Sequence, residues 1–206
     1  MTVSAPEVVP RDAKRKMPAE RHGELLAKAV EISAAEGLSA VTLRKVAGAL
    51  GVTPGLVSHY FSSAEQLIAA SFREAATADL DTARARMAAV DTPTRQIDVL
   101  MDYVLDDSST DASALWLDAW SLGRRNPALA ELANTLTAEW LTCIAEIVRS
   151  GQAAGEFRPG DPEVAARRLL TMIDGLGTQQ VVRAVASDEL KHIARAYVAS
   201  ELGLGG

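Results

Sequence analysis

Residues Thr53 to Tyr60, Thr-Pro-Gly-Leu-Val-Ser-His-Tyr, bring three hydroxyl side chains, an imidazole, a proline and a glycine into one short stretch. These side chains give and take hydrogen bonds without adding negative charge. The same restraint extends to the surrounding chain, because Gly37 to Ala64 contains Arg44, Lys45 and His59 but no Asp or Glu. A surface of that composition suits a polyanion. The chain as a whole is acidic, with a formal charge of −6 over 206 residues. The basic character is therefore local. Residues 10–61 hold eight Lys/Arg against five Asp/Glu, a net +3 that leaves −9 for the remainder.

Positioning such a stretch requires secondary structure, and the composition favours helices. Aromatics make up only 4% of the chain, β-branched alternation is scarce, and Ala, Leu, Glu and Arg are abundant. The expected fold is all-α, with about nine helices. Leu25, Leu26, Ala29 and Ile32 recur at helical spacing in a first helix from about Ala19 to Glu36, which Gly37 stops. Thr42 caps a short second helix ending at Leu50 and Gly51. Thr53 caps a third, with Pro54 at the first helical position, where a missing N–H costs nothing. Ser62 and Glu65 read as a capping box opening a long fourth helix through Leu67, Phe72, Ala76 and Leu80 towards Met87. Further on, Thr92-Pro93, Asn126-Pro127 and Asp161-Pro162 mark helix starts, while Gly123, Gly151 and Gly155 mark stops. Residues 1–16 read as a disordered basic arm whose Arg11, Lys14, Arg15 and Lys16 could add phosphate or minor-groove contacts.

Two short helices joined by a tight turn at Gly51-Val52-Thr53, with Val46, Ala47, Leu50, Val52, Leu56 and Val57 to lock them together, form a helix-turn-helix. Its second helix fits a DNA major groove. Thr53, Pro54, Gly55, Ser58 and His59 would face outwards, with Gly55 permitting close approach to DNA. Tyr60 and Arg44 would reach phosphates, and Thr42 sits at the start of the supporting helix. Phe61 reads as a core anchor. An ordinary helical hairpin would need no acid-free stretch.

The segment TLRKVAGALGVTPGLVSHYFSSAEQL, Thr42 to Leu67, resembles the DNA-binding signature of the TetR family of bacterial transcriptional regulators. Within it, GLVSHYF resembles the choline-responsive BetI-like subgroup. Gly155 to Gly177 and the Trp116/Trp120 segment are similar to that subgroup's C-terminal part. The resemblance implies a DNA-binding domain at 17–62 and an effector-binding and dimerisation domain at 63–206. It further implies a homodimeric repressor on a palindromic double-stranded DNA operator, released by a small, largely apolar effector; the single cysteine, Cys143, points to a reducing cytoplasm. The last two helices, about 161–185 and 187–201, would form the dimer bundle, with Gly175 and Gly177 allowing close helix approach. The recognition helices would lie about 34 Å apart. One departure stands out: Ala64 occupies the position where the family has a phosphate-contacting lysine, which should weaken the backbone grip by about one counterion.

Trp116 and Trp120, four apart, share a helix face. With Met101 and Tyr103 on the preceding helix they could wall an apolar pocket. Asp174 or Asp118 could then hold a quaternary ammonium by charge and cation–π attraction. Catalysis is not expected: His22, His59 and His192 are dispersed, no nucleophile elbow or phosphate-cradling loop occurs, and Ser58 and His59 point apart. No cofactor or metal is expected either. The lone Cys143, read as a small buried residue, excludes an internal disulfide framework. With no long apolar run and no apolar centre near the first residues, neither membrane span nor export signal is expected. The competing reading is a helical protein-interaction scaffold without sequence-specific DNA binding, which steep salt dependence of DNA affinity would exclude.

Overall fold

The computed structural model describes residues 17–204, and the basic arm expected at 1–16 lies outside them. Nine α-helices make up the described chain: α1 (Pro18–Glu36), α2 (Leu43–Leu50), α3 (Pro54–Tyr60), α4 (Ala64–Ala88), α5 (Pro93–Val104), α6 (Thr110–Gly123), α7 (Pro127–Ala153), α8 (Pro162–Arg183) and α9 (Ser187–Leu202). Short 3-10 turns at Leu38–Ala40 and Asp107–Ser109 precede α2 and α6. No described helix is long and apolar enough to cross a membrane.

The caps explain the boundaries. Thr42, Thr53, Thr92, Asn126 and Asp161 each accept a hydrogen bond from an amide of the first turn through their side chains. Prolines stand in the first turn of α3, α5, α7 and α8. The start of α4 differs from the expectation by one residue. Ser63, not Ser62, is the cap and accepts from the Gln66 amide. Gln66 Oε1 in turn accepts from both the amide and the hydroxyl of Ser62. An amide side chain at the third helical position reaches back as well as Glu65 would, so the spacing alone left two solutions.

Three apolar clusters organise the packing. The first joins α1, α2 and α3 through Leu25, Ala29, Val46, Ala47, Val57 and Phe61, with Leu67 from α4. The second groups Leu38, Phe72, Ala76, Leu115, Ala119 and Leu129. The third and largest runs from Leu80 and Met87 through Ile97, Leu100, Ile144 and Leu169 to Leu190 and Leu202.

Two glycines that read as stops or dimer contacts serve a different purpose. Gly151 lies inside α7, with the Phe157 ring so close that a Cβ there would sit 2.1 Å from Phe157 Cδ2. The chain turns instead at Gly155, whose φ of 74° places it in the left-handed region. Gly177 is where α8 meets α6, since a Cβ would lie 2.8 Å from Ser113 Oγ. Phe157 is 4% exposed and belongs to the largest cluster, so the clash at Gly151 has no flexible end to yield. Gly151→Ala should therefore destabilise the fold by about 1–3 kcal/mol, measured as a shifted denaturant midpoint at unchanged slope.

Candidate DNA-binding surface and effector cavity

The exposed helix α3 is short, and its position is set from both ends. At its start, Gly51 ends α2 in the left-handed region at φ 64°, the Val52 amide donates to Ala47 O, and Thr53 Oγ1 accepts from the Leu56 amide at 3.3 Å. At its end, Phe61 plugs the first cluster at 2% exposure. With Val57 buried beneath, the outward face carries Thr53, Pro54, Gly55, Ser58 and His59, all exposed, and Tyr60 is half-buried beside them. Ser58 Oγ donates back to Gly55 O at 3.1 Å, leaving its lone pairs available. On α2, Thr42 and Arg44 are exposed, Thr42 Oγ1 accepting from the Lys45 amide at 3.1 Å. Lys45 donates to Glu36, so Arg44 is the α2 cation with no carboxylate partner among the described residues. Ala64 opens α4 beside Ser63.

A second site lies among α4, α6, α7 and α8. A cavity of about 70 Å³ is lined by Asp79, Trp116, Trp120, Trp140, Ile173 and Asp174, and by Ser113 and Thr178. All three tryptophans of the chain meet there. Trp116 and Trp120 stand 5.8 Å apart between ring centroids, and Trp116 also packs edge-on to Phe72 at 5.1 Å. No Lys or Arg is among the lining residues. Burial pushes the Asp174 carboxyl up to about 6. Burial also raises Asp79, against the lowering effect of the Tyr103 hydroxyl, which donates to Asp79 Oδ1 at 2.5 Å.

Three of the five expected pocket residues, Trp116, Trp120 and Asp174, line this cavity, and two do not. Met101 is 1% exposed within the largest cluster, because its place on α5 turns it into the helix packing. Tyr103 stands behind Asp79, with the Arg86 guanidinium 4.6 Å above its ring, and faces a separate, charged cleft with Lys191 and Arg195. Asp118 also lies away from the cavity. Its Oδ2 accepts from the Leu38 amide at 2.7 Å, joining α6 to the turn after α1. Asp79 and Trp140 were missed by sequence reasoning. Both belong to long helices with no local signal, and only the meeting of α4 with α7 brings them to α6 and α8. Cys143 is half-buried, and burial pushes its thiol up.

An exposed helix held by a capped turn, with a separate helical body enclosing a cavity, defines a helix-turn-helix regulator. Residues 25–71 match the family described as bacterial regulatory proteins, tetR family. Residues 94–203 match the BetI-type transcriptional repressor C-terminal family. The chain belongs to the TetR family, with a BetI-type C-terminal part, and is a DNA-binding transcriptional regulator. It is 30% identical over 168 residues to the HTH-type transcriptional regulator BetI of Rhizobium meliloti, covering 79% of each chain. To the protein of the same name in Pseudomonas aeruginosa it is 27% identical over 188 residues, covering 88% of this chain and 93% of that one. Among solved structures, a Saccharomonospora viridis protein described as a transcriptional regulator in complex with choline shares the fold. Its TM-score is 0.80 at 24% identity, over 89% of this chain and 98% of that one.

The raised Asp174 carboxyl carries a pH signature. Its folded pKa of about 6 lies above the ordinary value of 3.8, so the folded chain holds that proton more tightly than the unfolded chain. The resulting cost to stability is fully present above pH 6 and disappears below the unfolded value. Asp174→Asn should therefore raise the thermal midpoint near pH 7.5 and lose that advantage near pH 4, as scanning fluorimetry at the two values would record.

Proposed function

We propose that the protein is a homodimeric repressor that binds a palindromic double-stranded operator and releases it when a small, largely apolar organic cation enters the cavity. The observation that carries this reading is the cavity lining: three tryptophan side chains with the carboxyls of Asp79 and Asp174, and no Lys or Arg. Indole rings attract cations and accept methyl groups, and a half-buried carboxylate is relieved by a positive charge beside it. The choline held by the Saccharomonospora viridis protein supports the same class of ligand. Residues 17–62 form the DNA-binding part in this reading, with Thr42, Arg44, Thr53, Pro54, Gly55, Ser58, His59 and Tyr60 as its contacts. Residues 63–206 hold the effector and dimerise. Support for dimerisation through α8 and α9 comes from their exposed apolar side chains Val164, Val182, Ile193 and Tyr197.

The route between the sites runs through α6. Trp116 and Trp120 face the cavity, whereas Asp118, two residues from each, points the other way to the Leu38 amide. Gly37, at φ 86°, lets the chain pass so close that a Cβ would sit 2.6 Å from Asp118 Oδ2. An effector that shifts α6 therefore pulls on the segment joining α1 to α2.

Sequencing the genomic fragments retained by the purified protein at two salt concentrations should recover a palindromic site. Choline should quench or shift the tryptophan emission and weaken binding to that site. Only non-specific DNA binding, or choline binding without effect on the DNA, would sink the reading. Asp118→Ala should keep both affinities within severalfold of the parent chain while the ratio of DNA affinities with and without choline collapses towards one. An unchanged ratio would exclude this route.

A further inference from the structure

We propose that His22, on α1, belongs to the DNA-binding surface, forming with Tyr60 a two-residue clamp for one backbone phosphate at the C-terminal end of α3. This deepens the DNA-binding reading of α3 and rests on it. His22 is exposed in the second turn of α1, well outside the acid-free stretch that marks the helix-turn-helix. Folding carries it to the end of α3. Its ring stacks on Phe61 with centroids 4.8 Å apart and an interplanar angle of 27°, and meets Tyr60 edge-on at 6.3 Å. His59 meets the same tyrosine at 5.2 Å, so three polar rings run continuously from α1 across the end of α3.

Two features suit this row to an anion. Phe61, which supports the imidazole, is fixed in the first cluster, so His22 is held in place before any partner arrives. Neither the imidazole nitrogens nor the Tyr60 hydroxyl have a hydrogen-bond partner among the described residues.

The charges around His22 also leave room for a phosphate. On a helix the side chains adjoining position 22 are those three and four residues away, here Pro18, Ala19, Leu25 and Leu26, and all are uncharged. Glu20 and Glu24 lie two residues away and point elsewhere, and Glu24 is paired with Arg21 at 2.6 Å. From α3, the neighbouring groups are the His59 imidazole and the Tyr60 phenol, neither of them a carboxylate. An imidazole N–H and a phenol O–H can therefore converge on one phosphate oxygen without a competing carboxylate.

The alternative is that His22 merely covers Phe61, and the test separates the two roles. His22→Phe keeps a ring on Phe61 but removes the donor; His22→Arg adds a fixed charge. Fluorescence anisotropy would be measured with the full chain on a duplex from the fragment selection and on an unrelated duplex of equal length. The expected result is unchanged thermal stability for His22→Phe with affinity lowered about three- to tenfold on both duplexes alike. His22→Arg should bind more tightly and steepen the slope of log affinity against log salt by about 0.9. A parent chain that binds duplex DNA in a salt-dependent way, with both variants matching it in affinity and slope, overturns the clamp alone. A parent chain without salt-dependent DNA binding overturns the clamp and the DNA-binding reading together.

Discussion

One helix, α4, is buried in all three apolar clusters, and the remainder of the architecture follows from that continuity. Leu67 enters the first cluster, Phe72 and Ala76 the second, and Leu80, Ala83 and Met87 the third. Over its 25 residues the helix spans about 37 Å. A rigid rod with buried side chains along its length cannot be re-aimed at one end without disturbing the other. The short helices α2 and α3 bury too little to hold a position alone, so their orientation relative to the body is inherited from α4 and from α1, which packs along it. The Asp118 bond to the Leu38 amide adds a second, narrower tie.

The two sites manage charge in opposite ways. Around α3 the chain excludes carboxylates from a continuous run of sequence, so the surface is ready for a polyanion whatever the details of packing. In the cavity the carboxylates are deliberate and costly. Asp79 is relieved by the Tyr103 hydroxyl, which is itself backed by the Arg86 guanidinium over its ring. Asp174 has no such relay, and burial alone moves its pKa to about 6. A half-buried carboxylate without a hydrogen-bond partner is a standing cost, which a cation placed beside it would reduce. In the proposed reading, the side chain that lowers stability is also the one that would favour a cationic ligand.

Close approach of helices recurs as the device that sets these positions. Gly177 brings α8 against Ser113 of α6, and both residues line the cavity. Gly151 admits the Phe157 ring, locking the turn between α7 and α8. Gly37 lets Asp118 reach the backbone of the following residue. In each case the absence of one Cβ decides how near two elements come, and therefore where the polar groups they carry end up.

How much of this was legible beforehand depended on whether the signal was local. The helix-turn-helix was readable because caps, an N-terminal proline, a left-handed glycine and the missing carboxylates all act within a few residues of one another. So were eight of the helix starts, although Ser63 with Gln66 replaced Ser62 with Glu65 because either pairing satisfies the same amides. The cavity was only half readable. Trp116 and Trp120 share a face by helical periodicity alone. Whether Met101, Tyr103, Asp118, Asp79 or Trp140 joins them depends on how α4, α5, α7 and α8 rotate about their axes when packed. Periodicity defines which residues share a face, but not which neighbour that face meets. His22 shows the same limit on the other site, since nothing near it in the chain announces that folding will set it against Phe61 and Tyr60. Local composition and capping determined the helices and the DNA-facing stretch. Tertiary packing alone decided which distant side chains complete each site, because burial and helix rotation are settled by the whole core at once.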